Sequence, residues 1–486
     1  MAKRVAVIDI GSNSVRLVVY EKTSRFAFHL LNESKSKVRL SENAYQNDGN
    51  LQEIPMQRTL DALKDFLSII ASYKARKTLC VATSALRDAP NKKEFLLRAK
   101  EELNLNIKII NGEKEAYLGA IACANLLPTQ KNALSIDIGG GSTELALIND
   151  KDVSNTLSLN LGTVRLKELF CDDKNKSEAI KYIDAKLEVL DGIQAKTLIG
   201  IGGTFRAISN AIMDNKEHPL NKLHAFSYTG TELDNFISSI MKADEEELTN
   251  LGIKDERFDI IKPGALILQR VLKKLSIEKV ITSGVGVREG AFLADLLRGS
   301  KDKFPEHYNS SARYILDSHV SEKGIAIQLN SLAKKIFDIT HKHLGIDKSF
   351  RKDLSLAAKL YPCGNDIHFF SKNKHSYYIL QSALEYGFTH NQITLISTLC
   401  KYAKKKLPSP SHMQKYRELL PEQKTLYALS YILSLSVSLV AHRPRNIDFE
   451  LIFNDGVLKI DSKESLRLCR ESVNKLERIE NLKVIF

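Results

Sequence analysis

The chain has 486 residues, enough for two to four domains with sizeable cores, and its 43% hydrophobic and 27% charged residues are ordinary for a globular protein. No apolar run approaches the ~20 residues that span a bilayer, and Asp9 interrupts the first apolar stretch too early for a secretory leader. Six scattered cysteines without a Cys-x-x-Cys pair read as reduced core thiols of a cytoplasmic protein, not as disulfides or zinc ligands, and +10 of the +13 net charge falls in residues 301–486.

The first element is a strand over 5–8 that ends in Asp9-Ile10-Gly11-Ser12-Asn13-Ser14 and continues into a second β-branched stretch. The periodicity then predicts a helix over 60–73, a strand over 78–82, a helix over 91–103, a short strand over 107–110 and a helix over 113–124. From about residue 126 the opening is repeated. A strand over 133–136 runs into Asp137-Ile138-Gly139-Gly140-Gly141-Ser142, and Thr143-Glu144-Leu145 is strand-like again. A strand over 198–201 meets Gly202-Gly203-Thr204 and a helix beginning near Phe205; Lys279–Thr282 is a strand, followed by a Gly-rich loop and a helix to Leu297. Beyond a polar connection over 298–309, helical spacing dominates 310–344, 354–360, 375–386, 392–406 and 426–442. Two strands, around 449–453 and 457–460, flank the hairpin turn Asn454-Asp455-Gly456. This pattern divides the chain at 1–125, 126–300 and 301–486.

The repeat carries the chemistry. A P-loop or dinucleotide fingerprint needs a helix after its glycines, whereas here each turn closes a hairpin, so that backbone N–H groups in the turn must hold an anion. Asp9, Asp137 and Glu144 accompany the turns and suit Mg²⁺, a hard cation that takes a few carboxylates, phosphate oxygens and water. Glu113 and Glu115 open a helix between the repeats, where acidic residues also serve ordinary helix chemistry. Gly202, Gly203 and Thr204 precede a helix and offer amides to anions. Arg87 and Arg288 follow strands and can reach phosphate oxygens. Lys401, Lys404, Lys405 and Lys406 are the densest basic cluster, a solvated helix face or a grip on a polyanion. No Gly-x-Ser-x-Gly elbow supports a serine hydrolase.

Six segments in one order resemble the exopolyphosphatase/guanosine pentaphosphate phosphohydrolase (Ppx/GppA) family. They are Asp-Ile-Gly-Ser-Asn-Ser, Thr-Ser-Ala-Leu-Arg-Asp-Ala, Gly-Glu-Lys-Glu-Ala, Asp-Ile-Gly-Gly-Gly-Ser-Thr-Glu, Gly-Ile-Gly-Gly-Thr and Gly-Val-Arg-Glu-Gly. The resemblance covers residues 1–300. It implies an α/β architecture of two ribonuclease-H-like domains of the actin-like ATPase (ASKHA) fold, followed by a mostly helical HD-like domain. It implies Glu115 as catalytic base, with Asp9, Asp137 and Glu144 organising Mg²⁺ (or Mn²⁺) and the attacking water. It further implies Ser12, Asn13, Gly139, Gly140, Gly141 and Ser142 as phosphate-binding turns, and a homodimer. The expected substrates are inorganic polyphosphate, guanosine pentaphosphate or both. In the helical region, Leu360-Tyr361 stands where an active HD domain has its His-Asp metal pair, so binding is expected there in place of metal hydrolysis.

Two other functions fit the residues. An actin-like metabolite kinase shares the hairpin phosphate sites but needs ATP and an acceptor alcohol. A non-catalytic sensor would bind polyphosphate, alarmone or RNA through the basic helical region.

Overall fold

A computed structural model describes residues 3–171 and 175–486, the side chain of Cys171 excepted. The chain divides into two compact units, Met1–Tyr308 and Asn309–Phe486.

The first unit is built on two sheets that repeat one plan. In the first, β1 (Arg4–Ile10) pairs antiparallel with β2 (Val15–Lys22), which pairs with β3 (Phe28–Ser36). β1 also pairs parallel with β4 (Lys77–Ala82), and β4 with the two-residue β5 (Lys108–Ile109). In the second, β6 (Gln130–Ile138), β7 (Thr143–Asp150) and β8 (Asp152–Leu159) form the same meander. Parallel to β6 runs β9 (Thr197–Ile201); β10 (Ser227–Thr229) and β11 (Lys279–Thr282) complete the order β10-β11-β9-β6-β7-β8. The inner strands read as apolar runs, Val5-Ala6-Val7-Ile8 and Leu134-Ser135-Ile136, because helices cover both faces of the parallel part.

Each sheet has its own core. Ile8, Ile10, Leu17, Leu60, Leu63 and Phe95 centre the first, and Ile136, Leu198, Phe205, Ile208, Leu266 and Leu268 the second. The helix predicted over 60–73 is longer, Glu53–Ser72, because Pro55 fits a first turn, where its missing N–H costs nothing. The helix expected near Phe205 starts earlier, at Gly202. The helix Gly112–Leu126 packs Ala120, Cys123 and Ala124 against Ala133, Ala146 and Ile199 of the second sheet.

The second unit is helical, with a small sheet near its end. The region of helical spacing over 310–344 is two helices, Ser310–Ser318 and Lys323–Leu344; the first ends at His319, whose Nδ1 is 2.7 Å from Asp366 Oδ2. The helix expected over 392–406 is His390–Tyr402, which leaves Lys404, Lys405 and Lys406 in the bends that follow. β12 (Glu450–Asn454) and β13 (Val457–Asp461) are joined by Asp455 and Gly456, both at positive φ (44° and 80°), the conformation a two-residue hairpin turn demands. A third strand, β14 (Lys483–Ile485), unexpected from the sequence, runs parallel to β13. Among the described residues no helix is long and apolar enough to cross a membrane. Cys80, Cys123, Cys363, Cys400 and Cys469 are free and buried, and the side chain of Cys171 lies outside the described residues.

Candidate active site

The two hairpins end at one cleft of about 150 Å³ in the first unit. Gly11 N–H bonds the carbonyl of Ser14 at 3.2 Å, and Gly139 N–H that of Ser142 at 2.9 Å, so both turns close the same way. Register shows how far the repeat extends. Asp9 stands opposite Arg16, and Asp137 opposite Glu144. The matching position on the second strand is thus a cation in one hairpin and an acid in the other. Ser12, Asn13, Gly139, Gly140 and Ser142 line the cleft together with Asp9, Glu115, Asp137, Glu144, Gly202, Gly203, Thr204 and Arg288. Gly141 does not line it; its Cα faces the hydroxyls of Tyr45, Ser84 and Ser12. Ser12 and Ser84 hydroxyls are 3.0 Å apart, which ties the first turn to the segment after β4.

Glu115 is brought in by the helix that starts at Gly112. A Cβ on Gly112 would collide with the Ser158 side chain, so glycine lets the helix begin directly on β8. Asn111 caps it, accepting from Lys114 N–H at 2.9 Å. Ser158 in turn donates to Glu144 Oε1 at 2.8 Å, so one strand fixes both acids. Glu115 is 8% exposed and accepts from Arg87 Nη1 at 2.8 Å.

The acids sit in a medium that resists their charge. Burial, then Glu144, hold Glu115 well above the usual carboxylate range, opposed by Arg87. Burial and Asp137 push Glu144 up to about 7, with Ser158 and Arg87 opposing. Burial raises Asp137 to about 6 against the pull of Arg206, and Asp9 is raised by burial against Arg288 and Arg16.

The sequence reading missed the cations of this cleft. Arg16, Lys35, Arg206 and Arg257 line it, and all four are held below their ordinary values, Arg16 at about 10. Burial is the first cause for each, and repulsion from neighbouring cations adds to it. Arg16 lay inside the first motif; the signal available was its equivalence to Glu144. Of the two expected arginines, Arg288 lines the cleft but is paired with Glu33 at 2.7 Å, and Arg87 is spent on Glu115 outside the lining.

The turn after β9 closes the floor. Gly202 has φ +85°, and a Cβ there would strike Asp137 Oδ1, so only glycine lets the Gly202–Asn215 helix begin against that carboxylate. The buried Ser142 hydroxyl finds no well-formed hydrogen-bond partner in the fold, though it lies near enough to Glu144 to favour that group's charged form. Among the described residues no three histidine, cysteine or carboxylate groups are close enough together to hold an ion by themselves. Asp9, Asp137 and Glu144 therefore do not form a three-ligand cage. They fit an ion of the Mg²⁺ type, which keeps waters and binds through one or two carboxylates plus substrate oxygens.

Of the four expected polyanion-binding lysines, Lys401 turns inward. Its Nζ is 3.0 Å from His412 Nδ1 and 4.7 Å from the centre of the Tyr377 ring. Lys404 and Lys405 line a separate cavity of the helical unit, and Lys406 is exposed.

Residues 18–299 match the model of the Ppx/GppA phosphatase family, and residues 311–478 that of Ppx/GppA phosphatase, domain III. A bifunctional 3-dehydroquinate synthase/phosphatase of Fusobacterium nucleatum is 30% identical over 309 residues, 59% of this chain; the chain spans 46% of that relative's length. Among solved structures, an exopolyphosphatase from Cytophaga hutchinsonii superposes with a TM-score of 0.57 at 25% identity, covering 62% of this chain and 100% of that one. The Aquifex aeolicus Ppx/GppA family member superposes with a TM-score of 0.53 at 29% identity, covering 62% and 99%.

Proposed function

This chain belongs to the Ppx/GppA phosphatase family, with two ribonuclease-H-like halves of the actin-like ATPase fold and a mostly helical HD-like unit, and from that premise we propose that it hydrolyses terminal phosphoanhydride bonds. The observation that carries the proposal is the meeting of both Gly/Ser turns, Glu115 and a group of under-neutralised cations in one small cleft. At about 150 Å³ the cleft is below the roughly 300–1,000 Å³ of sites that enclose a whole small molecule. It takes the phosphoryl end of a chain and leaves the remainder outside. Inorganic polyphosphate and guanosine pentaphosphate both present such an end, and the exopolyphosphatase among the similar structures supports the first.

In the proposed mechanism the amides of the two turns and the Ser12 and Ser142 hydroxyls hold oxygens of the terminal phosphate. Arg16, Lys35, Arg206 and Arg257 offset the charge of the phosphates behind it. Glu115, in its charged form, takes a proton from a water in line with the terminal phosphorus. The water oxygen bonds to phosphorus, the bridging oxygen leaves with the shortened chain, and orthophosphate is released. Such transfer depends on positioning and charge neutralisation more than on covalent chemistry. Asp9, Asp137 and Glu144 would hold Mg²⁺ or Mn²⁺, which when bound neutralises charge on phosphate oxygens. The proposed setting is the cytoplasm, as a homodimer.

Initial rates of orthophosphate release on polyphosphate and on guanosine pentaphosphate, side by side with ATP plus acceptor alcohols, test this. Release from either phosphate substrate, without transfer to an acceptor, is the expected result. Phosphoryl transfer to an alcohol with no release to water would replace it by a kinase, and inertness on all of them by a binding protein.

A further inference from the structure

The helical unit has a cavity of about 300 Å³ with a character unlike the catalytic cleft. Lys372, Lys404, Lys405 and Lys475 line it, and no aspartate or glutamate does. None of the four ammonium groups is in a salt bridge with any described residue. Lys372 is held below the usual lysine value by burial, then by Arg443, with Glu322 opposing. Such a wall attracts an anion with several charges, because no acid lines the cavity and none pairs with these ammonium groups.

The second observation is aromatic. Phe369 and Phe370 also line the cavity, yet they are 65% and 73% exposed, an uncommon cost for two adjacent phenyl rings. Their ring centres are 5.5 Å apart and nearly perpendicular. Lys372 Nζ lies 5.6 Å from the centres of both Phe369 and Tyr361. A planar ring placed on these phenyl faces sits within reach of ammonium groups that await phosphate. The helix Lys372–Ala383 begins here at Ser371, without a side-chain cap.

We infer that this cavity is a second ligand site, for a nucleoside phosphate: the base stacks on Phe369 and Phe370, and the phosphates lie on Lys372, Lys404, Lys405 and Lys475. Its volume is at the lower end for small-molecule sites, which suits one nucleotide and not a peptide or nucleic-acid segment. No general base faces it, so the site binds without chemistry. The assignment stands independently of what the catalytic cleft hydrolyses.

Photolabelling of the full chain with 8-azido-ATP and 8-azido-GTP, followed by peptide mapping, locates bound nucleotide whatever the cleft also binds. The expected label falls within residues 361–378 or 434–438 and is displaced by unlabelled nucleotide much better than by tripolyphosphate. The exposed pair Phe369→Ala/Phe370→Ala should weaken that labelling about tenfold with an unchanged circular dichroism spectrum. Lys404→Gln/Lys405→Gln should weaken it comparably and flatten its salt dependence. Label confined to residues 1–308, or pocket label that survives both double variants, would overturn the site. Equal displacement by tripolyphosphate with no effect of the phenylalanine pair would overturn the nucleoside and leave a phosphate site.

Discussion

Arg87 Nη1 donates to Glu115 Oε2 at 2.8 Å, joining the segment after β4 to the first turn of the Gly112–Leu126 helix. Arg87 is the chief favourable charge on a carboxyl that burial, Glu144 and Asp9 all drive toward neutrality. A base must be ionised to take a proton, so in the proposed mechanism the pair favours the form of Glu115 that can act.

Glu115→Gln keeps the shape and removes the proposed base. Turnover should fall by about 10²–10⁴-fold while substrate binding stays close to that of the parent. Single-turnover rates beside equilibrium binding check this. Near-normal turnover would move the role to Glu113 or a metal-bound hydroxide.

Arg87→Gln should act through Glu115. Without the guanidinium the carboxyl is driven further up, so the acid limb of the pH–rate profile should move to higher pH, with rate partly recovered on the alkaline side. A uniform loss at every pH would instead make Arg87 a direct substrate contact.

Activity should require Mg²⁺ or Mn²⁺ and be lost reversibly on chelation. Asp137→Asn and Glu144→Gln should each raise the metal concentration for half-maximal rate, since a site of few ligands loses much with one charge. Titration of the metal against initial rate reads this, and full activity in excess chelator would exclude a metal.

Gly202→Ala forces a side chain against Asp137 Oδ1 at a φ of +85°. The Asp137 carboxylate must move, and a displacement of about 1 Å at a reacting site costs on the order of 100-fold. Circular dichroism should show a folded protein with that loss of rate. A variant of normal rate would show that Asp137 does not need its present position.

The helical unit should weaken in mild acid through His412. Burial, then Lys401 and Lys415, lower its pKa from 6.5 to about 4. Lys401 donates to Nδ1, so the proton of the neutral ring is on Nε2, facing Thr398 Oγ1 at 2.9 Å. The unfolded chain therefore binds the proton first. This contribution is complete above pH 6.5 and is lost as pH falls toward 4. With solvent screening allowed for, it is on the order of 1–2 kcal/mol. Thermal midpoints across that range should fall less in His412→Gln than in the parent.

The sequence by itself marked the two Gly/Ser hairpins, the parallel strands β4, β5, β9 and β11 and many of the helices, because alternation, helical period and Gly/Ser punctuation are local signals; it did not mark β3, β8, β10, β14 or the helices Lys176–Lys186, Gly230–Lys242 and Phe258–Lys274. It also placed Asp9 and Asp137 at strand ends and Glu144 on the second hairpin, since each adjoins a motif. Aligning the two openings matches Arg16 to Glu144, but only the paired strands show that this position faces the cleft in both hairpins. The sequence could not show that Lys35, Arg206 and Arg257 converge on the same cleft from three separate segments. Lys401 and Lys404 are three residues apart in the chain, yet one is packed on His412 and the other lines a cavity, because the helix ends at Tyr402. Tertiary structure alone decides such cases, since burial and charge compensation depend on neighbours that the chain brings together only on folding.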